Sequence, residues 1–238
     1  MTSQYETWVN GAQLISFPVG LSASDKSDVL NSHLLAQVSA NQDGLAAADP
    51  RGWFKRNVTG LGQLMWSTQT TQSEVSKFGN LDDLSIVALV TMHLKKKLPK
   101  VILQQMTNML EQISELDYKH AARGLFRGQV LNHSDGEQDQ KRTAINFQLS
   151  ACTAPGQVFS LFVSLTLVVP LQQDFLHQAF YGVDSAEDAL FFYTHKELSA
   201  ARYARLREMT IATLEDDTVS LRQALPLVQA KTNALLKG

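Results

Sequence analysis

The stretch Ala144-Ile-Asn-Phe-Gln-Leu-Ser-Ala-Cys152, then Thr153-Ala-Pro-Gly-Gln157, then Val158-Phe-Ser-Leu-Phe-Val-Ser-Leu-Thr-Leu-Val-Val169 decides the fold. Both outer runs alternate residue by residue, and Pro155-Gly156 sits between them where the chain must reverse. The spacing predicts an antiparallel hairpin closed by the loop Thr153–Gln157. That loop sets Cys152 opposite Val158, Ser150 opposite Ser160, Gln148 opposite Phe162 and Asn146 opposite Ser164. Ile145, Phe147, Leu149 and Ala151 then share a dense apolar face with Phe159, Leu161, Val163 and Leu165. The other face is small and mildly polar: Asn146, Gln148, Ser150 and Cys152 with Ser160, Ser164 and Thr166. A slip of one residue would mix the two sets, so the pattern itself specifies the register.

Outward from the hairpin the chain reads mostly as helix. Phe17-Pro-Val-Gly-Leu21 is a bend before a helix capped by Ser24, with Asp25 in its first turn; Leu30, Leu34 and Val38 form its stripe, and Gln42 to Gly44 close it. Asp49-Pro50 starts a second helix, with proline in the first turn. Residues 63–78 read both ways: the alternation of Leu64, Trp66 and Thr68 suits a strand, while Val75 and Phe78 suit a helix. Asp82 to Lys97 and Val101 to Leu116 carry helical apolar stripes. Leu125 to Leu131 is a short strand, Asp135 to Arg142 a charged turn, and Leu190 to Tyr193 a further strand. Leu198 to Leu214 and Ser220 to Leu236 read as closing helices. The expectation is a single α+β domain, 1–238, with a helical N-terminal half. Its antiparallel sheet has three or four strands including the central hairpin, and C-terminal helices pack on that sheet.

Composition bounds the function. A chain of 238 residues, 44% hydrophobic and 18% charged with a net charge of −2, has ample core and no global attraction to nucleic acid. The most apolar run, Val158 to Leu171, is shorter than the roughly 20 residues a bilayer span requires. One cysteine makes neither an internal disulfide nor a thiolate zinc cage, and no metal is expected. The start Met1-Thr-Ser-Gln-Tyr-Glu6 lacks a basic, apolar leader, so the expected location is the cytoplasm, with leaderless export left open.

Cys152 is the feature with chemical potential. The small face around it, with Ser150, Ser160 and Ser164, accepts either a helix of the same chain or an apolar ligand. The thiol itself has three readings. It is an inert core residue, or it carries a fatty acid as a thioester, or it is an acyl-transfer or thioesterase nucleophile producing a small signal molecule. The last requires a base within hydrogen-bond reach. Among His120, His133, His177 and His195, the two that follow the hairpin, His177 and His195, are the candidate bases, and Asp174 and Asp188 are the candidates to orient them. His33, beside Leu30 and Leu34, reads as an edge-of-core histidine, and the Lys95–Lys97 run with Lys100 as a solvated helix end.

Phe17-Pro-Val-Gly-Leu21, Leu34-Leu-Ala-Gln-Val-Ser-Ala-Asn41 and Phe147-Gln-Leu-Ser-Ala-Cys152 resemble the Erwinia virulence factor family. The resemblance implies an α/β bacterial factor of insect-gut persistence, with a palmitoyl thioester on a buried cysteine. Only Cys152 matches that role. It implies a fatty acid as partner and leaves the host target unnamed.

Overall fold

The computed structural model describes residues 5–77, 84–135, 141–181, 184–185 and 187–227. The order is β1 (Tyr5–Asn10), β2 (Gln13–Pro18), α1 (Ala23–Gln42), α2 (Pro50–Gln63), β3 (Trp66–Ser76), α3 (Ile86–Lys95), α4 (Lys100–Glu115) and α5 (Ala121–Val130). There follow β4 (Leu131–Asp135), β5 (Lys141–Ala154), β6 (Gln157–Leu167), β7 (Ala189–Leu198), α6 (Ala200–Tyr203), α7 (Arg207–Leu214), α8 (Asp217–Ser220) and β8 (Arg222–Ala224).

The hairpin β5–β6 forms in the expected register: Cys152 pairs with Val158, Ser150 with Ser160, Gln148 with Phe162 and Asn146 with Ser164. Its turn is tighter than the spacing suggested. Ala154 already pairs with Gln157, and Pro155-Gly156 alone cross over, with Gly156 at φ +69°.

The sheet is larger than expected, and it is mixed. Eight strands run in the order β3-β7-β6-β5-β2-β1-β8, with β4 paired to β5 off that path. β2 lies parallel to β5, which rules out an antiparallel sheet of three or four strands. The N-terminal half is therefore not simply helical: β1 and β2 form a hairpin turned by Gly11 at φ +64° and Ala12, and β2 runs through Phe17 to Pro18 before the bend. Proline is tolerated there because it ends the strand.

Both covering layers come from the chain before the central hairpin. α3, α4 and α5 cover the apolar face, where Leu89, Met106, Leu110 and Phe126 meet Ile145, Phe147, Leu149 and Val163. α1 and α2 cover the opposite, small-residue face. The expected C-terminal helices do not form this cover. Within 198–227 the helices are short; α7 is tied to the side of α1 by Arg207, which grips the buried carboxylate of Asp28 at 2.8 and 2.7 Å. Part of the second expected closing helix, 228–236, lies outside the described residues, and its first part holds the edge strand β8. Leu125 to Leu131, expected as a strand, is mostly helix: Ala122, Phe126 and Val130 recur every fourth residue and are buried together. Of residues 63–78, Gln63 ends α2 and Trp66–Ser76 form the strand β3, while Phe78 lies outside the described residues. Of the expected helix Asp82–Lys97, Asp82 and Asp83 lie outside the described residues, and Ile86–Lys95 is helical, capped by Ser85. Ser22, rather than Ser24, caps α1 by accepting from Asp25 N, and α2 starts at Asp49-Pro50 as expected, with Asp49 as its cap.

The β5–β6 turn brings Gly156 against the end of β7, where an added Cβ would lie 3.1 Å from Leu198 Cβ and 3.2 Å from Leu198 O. Gly156→Ala is expected to cost about 1–3 kcal/mol, from positive φ and this contact together. Urea unfolding measures it; an unchanged midpoint contradicts the turn geometry.

Candidate functional site

Cys152 lies on the face covered by α1, fully buried among Ile15, Phe17, Val29, Leu30, Trp66 and Tyr203. Its Sγ contacts Ala154 O at 3.2 Å. Burial pushes the thiol up to about 12, so it stays protonated at neutral pH. A nucleophile requires the thiolate.

Neither candidate base reaches it. His195 pairs with Phe159 and stacks on that ring at 4.1 Å. Phe159 is a neighbour of Val158, the partner of Cys152, so by strand alternation His195 belongs to the opposite face of the sheet. His177 is exposed beyond α4, bridging Asp174 Oδ2 at 3.0 Å and Glu111 Oε2 at 3.1 Å. Asp174 thus does orient His177, but far from the hairpin thiol in the fold. Asp188 is exposed and forms no bond with either histidine.

The serines are occupied with each other. Ser150 Oγ lies 2.7 Å from Ser160 Oγ and accepts from Gln13 Nε2 at 2.6 Å. Gln13 Nε2 also donates to His33 Nδ1 at 3.0 Å. Ser150, Ser160 and Thr194 are successive partners across β5, β6 and β7, and Thr194 Oγ1 accepts from Lys196 Nζ at 2.6 Å. Ser32 of α1 accepts from Trp66 Nε1 at 2.9 Å. A polar band therefore crosses the sheet beneath α1. Ser164, buried opposite Asn146, lies further along the same face.

Two bases in this band are held far below their ordinary values. Burial takes Lys196 down to about 7. Burial and then the charge of Lys196 take His33 to about 3. No carboxylate pairs with Lys196 among the described residues.

Toward the far end of the same face a cavity of about 160 Å³ opens between α1, α2, α5 and β5. Six carboxamide residues line it: Gln37, Asn41, Gln129, Asn132, Asn146 and Gln148. Trp53 and Phe162, stacked at 5.1 Å, form an apolar wall. Some of the amides are engaged: Gln37 Nε2 donates to Asn10 O, Asn41 Oδ1 accepts from Trp53 Nε1, and Gln148 Nε2 donates to Asn57 Oδ1. Asn146 is not. It is 3% exposed, and neither Oδ1 nor Nδ2 has a hydrogen-bond partner among the described residues. Among the described residues no charged side chain lines the cavity.

No family model and no curated protein matches this chain. Among solved structures it is similar to a delta-endotoxin at 12% identity, covering 79% of this chain and 81% of that one, with a TM-score of 0.43. It is similar to activated Cyt2Ba from Bacillus thuringiensis subsp. israelensis at 10% identity, covering 79% and 98%, with a TM-score of 0.44. The C-terminal domain of the Bacillus licheniformis BlaR penicillin receptor follows at 15% identity, covering 49% and 40%, with a TM-score of 0.18. Likenesses of this strength assign neither a family nor an activity. Among the described residues no cluster of three or more His, Cys, Asp or Glu side chains is placed to hold a metal, and no helix is long and apolar enough to cross a membrane.

The cavity and Lys196 were not singled out from sequence, whereas His33 was read as an edge-of-core histidine and is buried. Asn146 stood in view on the small face of the hairpin, and an asparagine within an inward-facing strand row is the signal that finds it. Lys196 gave a weaker one, as a lysine continuing the inward alternation of Phe192 and Thr194.

The sign of the pH response follows from these bases. Each binds a proton more readily in the unfolded chain, so stability rises with pH from about 7 into the ordinary lysine range for Lys196. It rises from about 3 to the ordinary histidine value for His33. Lys196→Met is expected to stabilise the protein at pH 7 by about 1–3 kcal/mol and to flatten the rise above that pH. Urea midpoints between pH 6 and 10 measure it; a destabilised variant with the same slope contradicts the burial of an unpaired amine.

Proposed function

We propose that this chain is a non-catalytic binding module whose ligand occupies the cavity between α1, α2, α5 and the sheet, with Cys152 an inert core residue. One observation carries the reading: Asn146, buried at the cavity wall with both amide atoms unpartnered. A buried amide without partners costs about 1–3 kcal/mol, a cost that a hydrogen-bonding ligand removes. Cys152 supports the same reading from the other side, since a protonated thiol without a base has no route to acyl transfer.

A second reading keeps the fatty acyl thioester on Cys152, in a bacterial virulence or host-persistence factor like those the Erwinia virulence factor resemblance implies. The observation in its favour is the apolar surrounding of Sγ, where a thioester would be hidden from water. The cavity described above does not touch Cys152, so a palmitoyl chain requires α1 to lift from the sheet. About 0.8 kcal/mol per buried methylene would help offset that movement.

Intact mass before and after hydroxylamine separates the two readings. The inert-cysteine reading predicts the mass of the bare sequence both times. A palmitoyl increment removed by hydroxylamine overturns it and establishes the second. Cys152→Ala is expected to keep the fold at a cost of about 1–3 kcal/mol. The binding role is tested by the Trp53 indole N–H resonance, identified through Trp53→Phe, during titration with small uncharged and charged molecules. A saturable shift with uncharged molecules alone is expected, and silence across the whole panel overturns the proposal.

A further inference from the structure

We infer that the ligand class of this cavity is a small polyol, an acyclic one or a single monosaccharide; the inference rests on the binding reading above. Each carboxamide offers an N–H₂ donor and a carbonyl acceptor, and each hydroxyl is both donor and acceptor. Vicinal hydroxyls therefore match a wall of amides in either orientation. Among the described residues the side chains of Gln129 and Asn132 make no hydrogen bond, so they stand ready beside Asn146.

Other chemistries fit less well. A carboxylate, phosphate or ammonium group would lose its hydration against a wall where, among the described residues, no opposite charge is present. A purely apolar ligand would leave both amide atoms of Asn146 unpaired. Size agrees with a polyol: the cavity measures about 160 Å³, and a cavity of about 150 Å³ accommodates benzene. Its rim includes exposed Asn41, Leu45 and Gly128, so hydroxyls at one edge keep their water. The Trp53–Phe162 wall suits the C–H side of a polyol, a combination of apolar wall and few directed polar groups common to small-molecule sites. Asn146 sits in strand β5, in register with Ser164 of β6, so the backbone that carries its amide is fixed before the ligand arrives.

The test titrates the intact chain with glycerol, ribose and glucose, and separately with acetamide and toluene, following the Trp53 indole resonance. Saturable shifts with at least one of the three polyols are expected, and Asn146→Leu is expected to weaken binding tenfold or more while the unfolding midpoint stays the same or rises. Asn132→Ala, at the half-buried rim, serves as a second variant and is expected to weaken binding two- to fivefold. Binding of acetamide or toluene without any polyol overturns the polyol assignment and leaves the binding reading standing. No shift with any probe, as when water alone fills the cavity, overturns both. Polyol binding unchanged in Asn146→Leu and Asn132→Ala places the site elsewhere and also overturns the assignment.

Discussion

Helix α1 is laid on a face of the sheet that holds it partly by hydrogen bonds, and the rest of the molecule is arranged around that contact. On the opposite face the layer α3–α5 meets the sheet through a continuous apolar cluster. Under α1 and α2 the apolar material is split into two patches, one around Cys152, Ile15 and Phe17, the other around Trp53, Phe54, Phe162 and Phe192. Gln13, His33, Ser150, Ser160 and Thr194 occupy the face with them. Such a seam stabilises only when its groups are satisfied, and each net hydrogen bond contributes about 1 kcal/mol. Asn10 is satisfied on both sides, its Nδ2 donating to Leu30 O of α1 and its Oδ1 accepting from Arg222, while Gln13 Oε1 and His33 Nε2 have no partner among the described residues.

This asymmetry gives the two faces different roles. The apolar face supplies the cooperative core, and the small-residue face carries the thiol, the buried bases Lys196 and His33 and the amide-lined cavity. The thiol is silenced by the same burial that depresses the bases, because a low-dielectric environment disfavours the charged form of each. The cavity lies where α1 and α2 leave the sheet incompletely covered, between the Trp53 patch and Gln37.

Much of this was legible in the hairpin. The alternation of Ala144 to Val169 determines which residues share a face, so the pairing of Ser150 with Ser160 and the facing of Cys152 could be read directly. That a helix of the same chain covers the small face was among the readings, and α1 does so. The extent of the sheet was not legible. Tyr5–Asn10 and Gln13–Pro18 are short, their turn is marked by a lone glycine, and Phe17-Pro-Val-Gly-Leu21 masks a strand end as a bend. Their parallel docking on β5 is a long-range contact that no local pattern encodes. The placing of the histidines was hidden for a related reason: His177 and His195 follow the hairpin in sequence, but alternation turns His195 to the far face, and His177 is held at the surface by Glu111 and Asp174. Lys196 escaped notice because a lysine in a strand is ordinarily an exposed residue, and its burial arises only once α1 closes over it.

With Lys196 and His33 buried beneath it, the α1–α2 layer is joined to the sheet by a seam weaker and more acid-sensitive than the α3–α5 interface. Hydrogen exchange measured by mass spectrometry at pH 5 and pH 8, corrected for intrinsic rates, tests it most directly. Peptides from α1 and α2 are predicted to open before those from α4 and the β5–β6 hairpin, by a margin that widens at pH 5. Exchange of both helical layers at one common rate, with the same change between the two pH values, would contradict the account.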